Sequence, residues 1–179
     1  MLQQLKVLEE VIQKLNKSSI DYMLTGSLAL SLYTEPRMTR DIDIVISIEN
    51  LRSSHFAKLF QDKFYIDEEA VQLAIKHEKM FNMIHNETGV KLDFIIQKDT
   101  EFEKVKFKNK QPLNLNDFTC LTIRKEDLII QKLYWAKDSF SEMQLGDVRN
   151  LLKSGYDSNY INDWIKKLKL EKIWDEANK

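Results

Sequence analysis

One cysteine, four glycines and two prolines among 179 residues already exclude several kinds of chemistry. A lone Cys120 forbids an internal disulfide and a cysteine-based zinc cluster, and it fits a reducing, cytoplasmic setting. Neither a Gly-x-Gly-x-x-Gly run nor a Walker pattern occurs. Charge of one sign is also lacking: 27 Lys and Arg face 28 Asp and Glu, for a net charge of -1, which is not the balance of a strongly basic nucleic-acid binder. No apolar run is long enough to cross a bilayer. The opening MLQQLKVLEEVIQKL is amphipathic rather than a signal peptide, because polar and acidic residues interrupt every apolar stretch. His55, His77 and His85 are scattered and form no metal-binding pair at helical spacing. What remains is an ordinary globular composition, 43% apolar and 31% charged, long enough for one fair-sized domain with a helical appendage.

Apolar periodicity predicts the elements. Leu5, Leu8, Ile12 and Leu15 form one stripe of a first helix. Ile20 to Thr25 reads as a strand ending at Gly26, followed by a brief helix over Leu28 to Leu32 with Ser27 as its cap and Pro36 beyond its end. Asp41 to Ile48 is a strand, Leu51 to Phe60 a helix, and residues 67–77 another. Met80 to Ile84 and Val90 to Ile96 read as strands joined by a turn over Asn86 to Gly89. KVKFKNK, residues 104–110, alternates strictly and is expected as an edge strand guarded by lysines. The competing reading is a basic strip tracking a nucleic-acid backbone. Beyond Phe118 the spacing turns helical over Glu126 to Lys137, Glu142 to Leu152 and Tyr160 to Leu168, with Gly155 at a C-terminal cap and Glu171 to Asn178 adding a turn or two. Trp135, Trp164 and Trp174 fall in these helices and read as core or interface anchors. The expected fold is an α/β or α+β layer, residues 1–118, carrying a packed helical subdomain over residues 119–179.

Within this plan, TGSLALSLYTEPRMTRDIDIVI (residues 25–46) places two carboxylates inside an apolar strand. Residues i and i+2 of a strand share a face, so Asp41 and Asp43 stand side by side and repel. A divalent cation relieves that repulsion, and magnesium prefers oxygen ligands together with substrate phosphates. VKLDFII repeats the oddity with Asp93. If its strand lies next to the first, three carboxylates converge, a set able to hold metal ions for in-line displacement at phosphorus. A single aspartate reads more simply as a turn residue, a solvated residue or a partner for an arginine. Gly26-Ser27 closes the preceding strand, where glycine lets backbone approach a ligand and a helix N-terminus offers N–H groups to phosphate. Ser27 has no His/Asp arrangement near it in sequence, which argues against a serine hydrolase.

These residues resemble the nucleotidyltransferase superfamily related to DNA polymerase beta. Its pattern of an apolar residue before Gly-Ser, a helix, Asp-x-Asp on a strand and a third acidic residue on a later strand is matched by Leu24-Thr25-Gly26-Ser27, Asp41-Ile42-Asp43 and Asp93. The stretch Pro36-Arg37-x-Thr39-x-Asp41-x-Asp43 is similar to the branch of abortive-infection toxin nucleotidyltransferases and their bacterial relatives, as is the later pairing of Lys132 with Asp147 on successive helices. The resemblance implies a small mixed sheet flanked by helices with a C-terminal helical subdomain. It also implies transfer of a nucleoside monophosphate from an NTP to an acceptor hydroxyl, with release of pyrophosphate. Asp41, Asp43 and Asp93 would be catalytic and would hold magnesium or manganese. Gly26 and Ser27 would hold phosphate oxygens, and Arg37 and Lys132 would neutralise the triphosphate, supported by Thr39 and Asp147. For Arg37 a role bracing the loop stays open, and for Asp147 a cap or salt bridge within the helices. The acceptor hydroxyl would belong to RNA, in a toxin-like enzyme with an antitoxin partner, to a protein or to a small molecule. A non-catalytic nucleotide- or partner-binding module of the same fold is the alternative.

Overall fold

A seven-stranded mixed sheet runs through the described part of the computed structural model, residues 2–35, 39, 41–47, 52–115 and 117–179. After helix α1 (Leu2–Lys17) come β1 (Tyr22–Thr25), α2 (Gly26–Leu30), β2 (Asp41–Ile46) and α3 (Ser53–Phe60). Next are β3 (Phe64–Ile66), α4 (Glu68–His77), β4 (Met80–His85), β5 (Lys91–Ile96), α5 (Glu101–Lys108), β6 (Gln111–Leu115) and β7 (Phe118–Thr122). Four helices follow: α6 (Lys125–Ala136), α7 (Glu142–Leu152), α8 (Ser158–Leu168) and α9 (Glu171–Ala177). The strand order is β3-β4-β5-β2-β1-β7-β6, with β2–β5 and β1–β7 parallel and the other pairs antiparallel. The chain is therefore α/β, a mixed sheet flanked by helices and followed by a helical segment, as the resemblance implied. No helix of the described residues is long and apolar enough to cross a membrane.

Strand parity divides the sheet into two unlike faces. Ile42, Ile44 and Ile46 share one face with Leu92, Phe94 and Ile96 across the β2–β5 register, and all six are buried. The Phe56 ring of α3 meets Phe81 and Phe94 edge-on at 5.2 Å, closing that face with an aromatic cluster. The opposite face carries Asp41, Asp43, Lys91 and Asp93 in its middle. Towards β1 this second face is covered by α6, through a hydrogen bond of 2.9 Å from Gln131 Nε2 to Thr25 Oγ1. Towards β4 and β3 it is open: Met80, Asn82, Ile84 and Tyr65 are exposed there.

Several expectations are corrected. Residues 104–110 are no edge strand, because Glu101–Lys108 is helical. Thr100 Oγ1 caps its N-terminus by accepting from Glu103 N–H, and Phe102, Lys106 and Phe107 turn inward at helical spacing. Lys106 consequently turns away from Lys104, Lys108 and Lys110, which line one cavity together with Asp21. Lys106 is buried and donates to Glu103 and Gln131 at 2.8 Å each, Lys104 pairs with Asp99, and Lys110 pairs with Asp21 at 2.9 Å. The strictly alternating strip of four lysines is therefore not formed. Ser27 lies within α2, and the N-cap is Thr25, with no side-chain cap bond. The first helix is followed by a strand starting at Tyr22, the β2 strand ends at Ile46, and Ile48 and Leu51 lie outside the described residues. Strands β3, β6 and β7 were not anticipated. β7 carries the sheet past residue 118 to Thr122, and the helical segment begins at Lys125. Gly155 does adopt a left-handed conformation just past α7, where its N–H donates to Leu152 O at 3.1 Å.

The helical assignment of α5 has a direct test. Lys104 N–H donates to Thr100 O at 3.0 Å, so Lys104→Pro removes that bond and forces the ring against the preceding turn. A loss of about 3 kcal/mol in urea unfolding is expected. An outward-facing edge-strand position would accept the same change with little loss.

Candidate functional site

The site is assembled by register. Asp43 on β2 is paired with Thr25 on β1 and with Asp93 on β5, and Asp41 is paired with Lys91. Adjacent strands lie about 4.8 Å apart, so the Asp43 and Asp93 side chains emerge side by side on the same face. Asp93 is buried, and its Oδ1 accepts no hydrogen bond. Burial, followed by the charges of Asp93 and Asp41, pushes the Asp43 carboxyl up to about 6, against a smaller opposing pull from Ser27 N–H and from the Lys132 ammonium.

Gly26 ends β1 at φ +67, a left-handed conformation that disfavours any side chain. A Cβ at this position would stand 1.9 Å from Asp43 Oδ2. The Gly26 backbone is thus the surface against which Asp43 rests, and the Ser27 N–H donates to the same carboxylate. On the far side, Lys132 of α6 is fully buried, donating to Asp147 Oδ2 of α7 at 2.7 Å and to Gln144 Oε1 at 3.1 Å. Its positive field reaches Asp43. Thr39 turns its polar groups to the backbone and to α1: Oγ1 donates to Asp41 O at 3.2 Å, and its carbonyl accepts from Gln4 Nε2 at 2.8 Å. Arg37 lies outside the described residues, as do Pro36 and Arg40.

The sequence-derived residues Gly26, Ser27, Asp41, Asp43, Asp93, Lys132 and Asp147 therefore gather around one end of β1, β2 and β5. The carboxylates share a face but do not form a closed cage: among the described residues, no group of three acidic, histidine or cysteine side chains is placed to hold a metal ion as it stands. Lys91 stands among them instead, its Nζ 2.8 Å from Asp93 and 4.0 Å from Asp41 Oδ2. The residues nevertheless fit a hard cation chemically, since they offer carboxylate oxygens, Asp93 among them on a buried side chain, and like charges at close range.

Sequence reasoning missed three participants. Lys91 was legible, standing two residues before Asp93 and so on the same face of its strand. Gln131 and Lys106 were not, since the chain from Lys106 Nζ through Gln131 to Thr25 joins three elements distant in sequence.

No family profile and no curated protein matches this sequence. Solved structures do share its architecture. ANT(2")-Ia in complex with adenylyl-2"-tobramycin superposes with a TM-score of 0.63 at 11% identity, over 95% of this chain and 99% of that one. An antigenic nucleotidyltransferase-like protein from Paracoccidioides brasiliensis gives 0.61 at 16% identity, over 97% and 89%. The lincomycin-bound lincosamide antibiotic adenylyltransferase LnuA gives 0.53 at 16% identity, over 82% and 94%. At such identities the likeness is one of fold alone: this chain shares the architecture of these solved structures.

Proposed function

We propose that the chain transfers a nucleoside monophosphate from an NTP to the hydroxyl of a small-molecule acceptor, releasing pyrophosphate. The observation that carries this reading is the in-register pair Asp43–Asp93 beside the Gly26 turn, held at an electrostatic cost that folding alone does not require. Asp41, Asp43 and Asp93 are the residues that would hold a magnesium or manganese ion, which when bound neutralises the triphosphate and polarises the phosphorus under attack. Asp93 accepts the proton of the acceptor hydroxyl as its oxygen bonds to the α-phosphorus, and the bond from that phosphorus to the departing pyrophosphate oxygen breaks. Gly26 and Ser27 border the triphosphate, Lys132 supplies positive charge from below, and Asp147 fixes the direction of that ammonium. Arg37 is a further candidate for the triphosphate, on its sequence position alone. Thr39 shapes the entry to β2 through the Asp41 carbonyl.

The acceptor side is read from the open part of the sheet. Asn82 is the register neighbour of Asp93, and Met80, Ile84 and Tyr65 extend the same exposed face away from the cleft. None of these four is charged. A polyanion such as RNA gains its affinity from lysine and arginine contacts to phosphate, so this surface favours a small, largely uncharged acceptor. Neighbours described as bound to lincomycin or to an adenylylated tobramycin support an acceptor that is a small molecule. Neither an RNA acceptor nor an antitoxin partner draws support from the described residues. A binding module without chemistry would have no use for the Asp43–Asp93 repulsion.

Labelled product formed from an α-phosphate-labelled NTP, a divalent ion and a panel of small hydroxylated compounds is the direct test. Label passing to RNA alone would displace the small-molecule reading. Asp43→Asn is expected to reduce transfer at least about 100-fold while stabilising the metal-free protein at pH 7 by on the order of 1–3 kcal/mol. The sign follows from the raised carboxyl. Ionisation of Asp43 disfavours the folded state, so stability is lost as pH rises from the ordinary carboxylate range through about 6. The gain from Asn should therefore vanish below about pH 4 in thermal melts. Lys132→Ala is expected to weaken NTP binding in calorimetry, and also to destabilise the fold by about 3 kcal/mol because it removes a buried cation from Asp147. Lys132→Met combined with Asp147→Leu should recover stability without recovering nucleotide affinity.

A further inference from the structure

Lys91 occupies the middle of the carboxylate group. It precedes Asp93 by two residues on β5 and is the register neighbour of Asp41 on β2. Its Nζ lies 2.8 Å from both carboxylate oxygens of Asp93 and 4.0 Å from Asp41 Oδ2. The hydrogen bond goes to Asp93 Oδ2, while the buried Oδ1 accepts none. The side chain is 37% exposed, so packing does not force the ammonium inward and solvent is open to it. A flexible lysine with access to water ordinarily keeps its charge in water. Here it lies against the buried Asp93 carboxylate and beside the half-exposed Asp41 instead.

We propose that Lys91 is a placeholder cation: its ammonium bridges Asp93 and Asp41 in the metal-free protein and must leave Asp93 before a divalent ion can be bound there. This rests on the reading of Asp41, Asp43 and Asp93 as metal ligands. The physical basis is the like-charge repulsion on this face. Without a cation, Asp93 and its neighbours raise one another's energy, and the nearest mobile positive charge relieves them. The ammonium and the metal then compete for the same oxygens. The intrinsic affinity of the carboxylates for metal is reduced by the fraction of molecules in which Lys91 is docked. Lys91 thereby acts as a positioning residue, holding the third carboxylate in place until the ion replaces it.

The test measures free Mn²⁺ by electron paramagnetic resonance, without nucleotide, on the intact protein and on Lys91→Met and Lys91→Gln. Both variants should bind Mn²⁺ about tenfold more tightly than the parent, the size of one charge-assisted hydrogen bond released from competition. Lys91→Arg, which keeps the cation, should stay within about threefold of the parent. Metal-free melts should show both neutral variants less stable, with Mn²⁺ raising their melting temperature more than it raises the parent's. In an Asp93→Asn background, Lys91→Met should change Mn²⁺ affinity by less than about twofold, because the contested carboxylate is gone. Equal or weaker Mn²⁺ binding by the neutral variants overturns the proposal while leaving the metal reading intact. A tenfold gain that persists in Asp93→Asn also overturns it, since the effect is then only a distant field. If neither parent nor variants bind Mn²⁺ even with NTP present, both the proposal and the metal reading fall.

Discussion

The parallel pairing of β2 with β5 is the constraint on which the site depends. It sets Asp43 opposite Asp93 and Asp41 opposite Lys91 on one face, and the same register sets Ile42 against Leu92 and Ile44 against Phe94 on the other. A slip of one residue would turn carboxylates into the aromatic cluster and isoleucines into the cleft. Core packing on one face therefore enforces the electrostatically costly arrangement on the other. The packed rings of Phe56, Phe81 and Phe94 lie on the covered face and hold that register against a slip.

Buried polar contacts fix how the helices meet this frame. Lys106 of α5 reaches Gln131 of α6, which reaches Thr25 immediately before the Gly26 turn. The next residue of α6, Lys132, reaches Asp147 of α7. At the other end of α6, the buried Asp127 accepts from Tyr160 of α8 at 2.5 Å and from Asn109 at 3.3 Å. Buried pairs of this kind add little net stability, but each breaks only at a high cost, so they restrict the alternatives open to α6. That helix is thereby held at one distance from the turn, with its lysine directed towards the carboxylates.

Different parts of the molecule were legible to different degrees. The paired strands β4 and β5 and the helices α1, α4, α7, α8 and α9 followed from apolar spacing, because each buries one periodic stripe. β3 escaped because three residues establish no period, and β6 because Pro112 interrupts it, a residue that only an edge strand tolerates. α5 misled because lysine and apolar residues happened to alternate over 104–110. The signals that decided it lay upstream, in Thr100 as a cap and in Glu101 and Glu103 at the positive end of the helix.

By itself the sequence determined which residues stand out from the elements that hold them. Asp41, Asp43 and Asp93 interrupt apolar strands, and Gly26 ends one, and those are local conflicts visible without coordinates. Only the tertiary structure decided that β2 and β5 are neighbours, that Lys91 stands among the carboxylates, and that the part of their face formed by Met80, Asn82, Ile84 and Tyr65 is open. The reason is physical: strand order and helix placement are set by the sum of contacts over the whole core, and no short window of residues contains that sum.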